Sequence, residues 1–341
     1  MPPTPPPARN RWIDHAKAIG IVLVVYGHVA RGLHSAGLPM SEPLFVLVDS
    51  VIYSFHMPLF FLLSGTLFYG SLQRHGALPV LRSKVDSIVY PYLLWSLLQG
   101  GIEVVLGRWT NGSVTLADVL SLWQPRMQFW FLYALFFVTV LAVLVYRRLP
   151  PAALGWVALA GTGVFLARAA LPDVNPLGYV WAYAGFFAWG VYFNQVAAAV
   201  HRWRWALLGP LTVLFVAGQW GFHGPLGLVH TVGDVRLLAL AAVSMAWVVV
   251  LCMVLDRPAF AWLARLGTWS MPIYLAHTLA SSGTRIALSK VLQVQHVPTH
   301  LVLGTAVGLL APVVLVWLAP RLKAQWLFDA PAWWVRAGLR R

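Results

Sequence analysis

Trp12-Ile13-Asp14-His15-Ala16-Lys17 runs without a break into Ala18-Ile19-Gly20-Ile21-Val22-Leu23-Val24-Val25-Tyr26-Gly27-His28, and this stretch decides how the chain folds. A membrane-crossing helix needs about 20 mostly apolar residues. Ionisable groups inside such a helix are costly, so those that persist there point to function. At 100° per residue, Lys17 and His28 fall within roughly 20° of one another and Asp14 within roughly 40° of His28, so the three share a face. The helical rise sets Lys17 and His28 roughly 16 Å apart, which excludes direct pairing. They line different depths of one passage, with Asp14 and Lys17 at its mouth and His28 well inside. A buried histidine bonded to a carbonyl is the ordinary alternative; the company of Asp14 and Lys17 favours the functional reading.

The rest of the 341 residues agrees with a membrane protein. The chain is 60% apolar and only 10% charged, and its mean hydropathy is +0.73, whereas soluble domains carry about a quarter charged residues. Ten apolar runs can be marked, at about 13–34, 44–70, 86–106, 128–146, 152–171, 177–199, 205–221, 235–255, 267–288 and 300–320. With the N-terminus inside, 17 of the 24 Lys and Arg fall on the inner side and 7 on the other. Positive charge is retained at the cytoplasmic face, so both termini are expected in the cytosol. The net charge of +14 is thereby explained through topology and anionic lipid rather than nucleic acid.

The expected fold class is an all-α integral membrane protein of about ten transmembrane helices. A disordered cytosolic tail is expected over 1–12, one membrane domain over 13–320 and a basic cytosolic tail over 321–341. No small-residue cleavage site follows the first apolar run, so no removable signal is expected. The single cysteine, Cys252, excludes an internal disulfide and a thiolate metal cluster.

Four further segments carry chemistry. Phe55-His56-Met57-Pro58-Leu59-Phe60-Phe61-Leu62-Leu63-Ser64-Gly65 is expected to kink at Pro58, with Ser64-Gly65 allowing close helix approach. Ser64 lacks a Gly-x-Ser-x-Gly elbow and reads as packing rather than a nucleophile. Leu81-Arg82-Ser83-Lys84-Val85-Asp86 precedes Tyr90-Pro91-Tyr92. At a helix N-terminus, Arg82 and Lys84 would hold phosphate; as inside-boundary charges they would only set topology. Gln128-Phe129-Trp130-Phe131-Leu132 and Leu266 to His277, the latter with Pro272, complete the set and place His277 within the ninth run.

Taken in order, these five segments resemble the membrane-bound acyltransferase family 3, in its branch of sugar O-acetylases such as fucose 4-O-acetylase. The resemblance spans residues 11 to about 278. It rests on Asp14, Lys17 and Gly27-His28, on Phe55 to Gly65, on Trp130-Phe131-Leu132, and on Leu266-Gly267 through Ser270 to Ile273-Tyr274 and His277. It implies ten spans, an inner-membrane location, and transfer of an acetyl group from acetyl-CoA to a sugar hydroxyl of a glycan, exopolysaccharide or lipid-linked saccharide. The family's essential first-span histidine matches His28. Its basic residue eleven positions earlier is commonly arginine, and here is Lys17, which keeps the charge and loses the bidentate fork. The family also sets arginine closer to the Pro-Tyr of its third span, where this chain has Asp86 and Ser87.

Such a reaction needs a base for the hydroxyl, and a histidine of ordinary pKa near 6.5 suits it. His28 is the expected base, with Asp14 grouped beside it as the acid that orients Lys17 or His15 or caps the helix. Lys17, Arg82 and Lys84 are expected to face the anionic nucleotide of acetyl-CoA, its thin arm covering the distance to His28. His56, Trp130, Tyr274 and His277 are the candidate acceptor contacts, and no metal is called for. Direct transfer and an acetyl-His28 intermediate both remain open. The competing reading is a transporter or flippase for a lipid-linked sugar, using the intramembrane histidines as a proton path; the absence of an internal repeat and the scarcity of intramembrane carboxylates weigh against it.

Overall fold

The structure, a computed structural model, describes residues 11–107, 109 and 114–338. All but the last two residues of the tail expected over 1–12 lie outside this range, as do Arg108, Arg340 and Arg341. The chain is a helical bundle, with no strand among the described residues. In order come α1 (Arg11–Ser35), α2 (Glu42–Tyr53), α3 (His56–His75), α4 (Ala77–Lys84), α5 (Tyr90–Val105), α6 (Leu116–Leu120), α7 (Trp130–Tyr146), α8 (Leu154–Ala167), α9 (Leu177–His223), α10 (Val235–Val254), α11 (Ala261–Thr268), α12 (Ser270–Ile286), α13 (Val297–Leu318) and α14 (Ala332–Gly338). Eight helical stretches are long and apolar enough to cross a membrane; α2 with α3, and α4 with α5, count as one stretch each.

The eight reconcile with ten passages at two places. Helix α9 is assigned as helix over 47 residues without interruption. At about 1.5 Å per residue a straight helix would put Tyr183 and Gly218 roughly 50 Å apart. Yet Tyr183 lines a cavity with Leu237 and Leu238, and a side chain built on Gly218 would touch Leu240. Both halves of α9 therefore meet the start of α10. The chain doubles back near His201-Arg202-Trp203-Arg204, where Arg257, just past α10, covers the Trp205 ring at 4.6 Å. The two runs expected at 177–199 and 205–221 are thus a hairpin joined by helix instead of loop. The tenth passage is α12, only 17 residues long with a π turn (Ala287–Val291) continuing it. Thr278, Ser281 and Arg285 make it more polar than the other passages. It is flanked by α1 and α13.

Two expected details change. The expected kink at Pro58 is a break three residues earlier: α2 stops at Tyr53 and α3 begins at His56, so Pro58 sits in the first turn of a new helix. Proline needs no donor there, while its ring crowds the carbonyl four residues back, at Ser54. Met271-Pro272 does the same for α12, which restarts at Ser270 after α11. The third run begins earlier than expected, because α4 continues through a π turn (Val85–Val89) into α5.

Between helices surrounded by lipid, close contact supplies the attraction that water would otherwise supply. Gly65 and Gly190 make a close seam: a side chain on Gly65 would lie 2.0 Å from the Phe187 carbonyl, and one on Gly190 1.9 Å from that of Leu62. The small residues let α3 and α9 touch backbone to backbone, in keeping with the packing role read for Ser64-Gly65. Ser64 itself donates to the Phe60 carbonyl at 2.8 Å.

Candidate active site

Three histidines from three helices meet inside the bundle. The rings of His28 (α1) and His277 (α12) lie 5.1 Å apart, edge to face, and His56 (α3) is near enough for its charge to act on His28. His277 and His56 are 0% and 2% exposed, while His28 keeps part of its surface accessible. The His277 Nδ1–H donates to the carbonyls of Ile273 and Tyr274, at 3.0 and 2.8 Å. The His56 Nδ1–H donates to Ile52 at 2.8 Å. Each bond fixes a tautomer and leaves Nε2 as an acceptor. The proline restarts of α3 and α12 position these rings, since His56 is the first residue of its helix and His277 lies two turns into its own. Among the described residues no group of three His, Cys, Asp or Glu is placed to hold a metal ion.

One end of the bundle is basic. Lys17 Nζ stands 3.9 Å from Asp14 Oδ1, and Lys84 is near enough to feel the charge of Lys17. Asp14 is buried under Gly267, where any side chain would lie 1.7 Å from the Asp14 carbonyl. The expected face is real, but Asp14 belongs with Lys17: it lies fourteen residues, roughly 21 Å, from His28. Arg82 and Lys84 occupy the last turn of α4. They are not at a helix N-terminus, and because the helix continues through the π turn no free amides accompany them. Phosphate binding by a dipole is therefore excluded there, and only their side-chain charge is available. π turns inserted in helices recur at functional sites.

The opposite end holds a polar cavity of about 350 Å³, lined among others by Arg31, Tyr53, Trp130, Arg168, Tyr183 and His230. Arg31 binds Asp49 through two bonds of 2.6 and 2.8 Å and lies 3.3 Å over the Tyr53 ring. Tyr53 separates the cavity from the histidines: its ring is 4.5 Å from His56, and its hydroxyl lies 3.2 Å from where a side chain on Gly27 would begin. That hydroxyl is buried without a hydrogen-bond partner among the described residues. Burial first, then the charges of Arg31 and His223, lower the pKa of His230 against the opposing pull of Asp49. His230 is thus biased to the neutral form.

Of the expected acceptor contacts, Trp130 lines this cavity and stacks on Tyr179 at 5.6 Å. Tyr274 does not reach it. Its hydroxyl donates to the Gln128 carbonyl, and its ring stands 6.3 Å from His277, so it forms the wall behind the histidines. Sequence reasoning missed Arg31, Tyr53, Arg168 and His230. Arg31 carried a signal, one turn beyond His28 on the same helix; the others come together only through tertiary contact.

The bundle sets buried histidines between a basic end and a polar cavity, and comparison with known proteins gives the class of its domain. The acyltransferase 3 profile, described as an acyltransferase domain, matches residues 10–317, and the chain belongs to that family. It is also 25% identical over 221 residues to nodulation protein NolL of Mesorhizobium japonicum, a match covering 60% of this chain and 54% of that protein. The match thus spans about half the length of this curated relative. No solved structure matches.

Proposed function

We propose that this acyltransferase moves an acetyl group from acetyl-CoA to a sugar hydroxyl on a glycan, exopolysaccharide or lipid-linked saccharide, in the bacterial inner membrane with both termini cytosolic. The observation that carries the reading is the order of groups along α1: Lys17 with its neighbour Lys84, then His28 among histidines, then Arg31 at the polar cavity. The 17-to-7 division of basic residues supports a cytosolic Lys17 end.

Lys17, Lys84 and Arg82 attract the anionic nucleotide, and the acyl arm covers the roughly 16 Å to His28. The acceptor enters from the cavity, where Trp130 and Tyr183 offer faces for a sugar ring. His28 takes the hydroxyl proton as the sugar oxygen bonds to the thioester carbonyl carbon. The tetrahedral oxyanion then collapses, the carbon–sulfur bond breaks, and His28 returns the proton to the departing thiolate. Positioned proton transfer of this kind typically contributes about 10²- to 10⁴-fold. His277, its tautomer fixed by backbone carbonyls, packs edge-on against the His28 ring, with His56 close by. The unpaired Tyr53 hydroxyl is the donor available to the oxyanion.

The test is transfer of label from radiolabelled acetyl-CoA to lipid-linked or free oligosaccharide by the purified protein in lipid. Label reaching the saccharide supports the reading; absence of donor binding and hydrolysis under all conditions overturns it in favour of transport. Two variants refine it. Lys17→Ala combined with Lys84→Ala should raise the KM for acetyl-CoA at least about tenfold with kcat little changed, because a charge met equally in ground and transition states contributes uniform binding. Tyr53→Phe should act in the opposite sense, lowering kcat by about 10²-fold with little change in KM, as removal of an oxyanion donor does. Steady-state kinetics on both separates the roles.

A further inference from the structure

The polar cavity continues into a second space. Phe186 and Leu238 line both it and an apolar groove of about 580 Å³. The groove is enclosed by the two arms of the α9 hairpin, through Phe193, Val196 and Leu211, and by α10. Val235, Ala239, Ala242 and Ala246 of α10, at helical spacing, line the groove and remain exposed. In a membrane-spanning bundle such a face opens to hydrocarbon rather than water.

The cavity at the head of the groove is cationic. Arg31 and Arg168 line it and no carboxylate does. The charge of Arg31 is met by Asp49 behind it. Arg168 donates instead to the carbonyls of Phe165, at 2.6 Å, and Gly233, and to no carboxylate among the described residues; Asp234, near enough for its charge to act on Arg168, is itself bound by Arg236 at 2.6 Å. Carbonyls orient a guanidinium without neutralising it, and the planar fork is suited to phosphate. The combination matches an amphiphile: an anionic head beside Arg168 and a long apolar chain lying between α9 and α10.

Resting on the transfer reading above, we infer that the acceptor is carried on a lipid phosphate, its phosphate held at Arg168 with Arg31 and its hydrocarbon chain in the α9–α10 groove, so that the attached sugar projects past Tyr53 toward His28. Cavities that bind ligands commonly measure about 300–1,000 Å³. At about 350 Å³, the cavity admits the phosphate and the sugar next to it. The rest of the glycan remains outside.

The test reads binding in the absence of any acyl donor, so that its failure is distinct from failure of acetyl transfer, which the labelled-donor assay reports. Decaprenyl phosphate, uncharged decaprenol and phosphatidylglycerol are titrated against the purified full-length chain in detergent and counted by native mass spectrometry. Decaprenyl phosphate should bind at least about tenfold more tightly than the other two. Arg168→Ala should lose that preference and Arg168→Lys recover part of it, since lysine keeps the charge but not the fork. Ala242→Trp, which fills the groove from its exposed edge and leaves the cavity untouched, should weaken decaprenyl phosphate by a similar factor. Equal binding of decaprenol would show that no anion site exists. Equal binding of phosphatidylglycerol would reduce the groove to an ordinary lipid contact, and an undiminished Ala242→Trp variant would remove the chain from the groove; each result overturns the inference.

Discussion

Replacing His28 with alanine should abolish acetyl transfer, by at least about 10³-fold, while the protein still inserts and purifies as the wild type does. The loss takes away the one member of the trio that is not fully buried, and with it the positioned base, whose usual worth is about 10²- to 10⁴-fold. His277 and His56 cannot substitute, because each is tied by Nδ1 to its own backbone and is almost fully buried. Folding should be spared, since α1 is held by fully buried neighbours such as Ala18, Ile21 and Val25 rather than by this ring. Label transfer beside a thermal-unfolding trace checks both halves. Full activity in the alanine variant would remove His28 from the chemistry, and lost expression would make it a structural residue.

The second large effect is expected at a residue that touches no substrate. Gly190→Val should leave little or no monodisperse protein. The first carbon of the new side chain would stand 1.9 Å from the Leu62 carbonyl, backbone against backbone, with no rotamer to relieve it. Ordinary overpacking costs about 1–3 kcal/mol, and this contact exceeds ordinary overpacking because α3 as a whole must move. Gly221 on the same helix has nothing within 4 Å of the corresponding position. Gly221→Ala should therefore be neutral or slightly stabilising, as alanine is the better helix former. Size-exclusion profiles and melting temperatures of the two variants give the comparison; a well-behaved Gly190→Val would mean that α3 and α9 are not in backbone contact.

Features that follow from local pattern were legible in the sequence. Apolar length marked the membrane-crossing stretches, and the periodicity of α1 put Lys17 and His28 on one face at different depths. What was not legible depended on how segments end and what they meet. Pro58 and Pro272 announce a disturbance, but only the folded chain shows that each begins a helix instead of bending one. The charged stretch His201 to Arg204 reads as a loop by composition, yet it is the helical elbow of α9. Arg82 and Lys84 read as a helix start because the run of apolar residues begins after them, whereas the π turn carries the helix straight through. The cavity draws Arg31, Tyr53, Arg168 and His230 from four distant parts of the chain, and no spacing within any one of them announces the others.

Lys17 and Arg31 are separated by fourteen residues of one helix, roughly 21 Å of bilayer. On the transfer reading, donor and acceptor need never share a compartment. The thioester's free energy is released at the cytosolic doorway's far end, and the ester appears on the other face, so an acyl group changes sides without a carrier and without crossing as a free acid. Sidedness then becomes a property of the catalyst. On that reading, starving the cytosol of donor halts decoration outside at once.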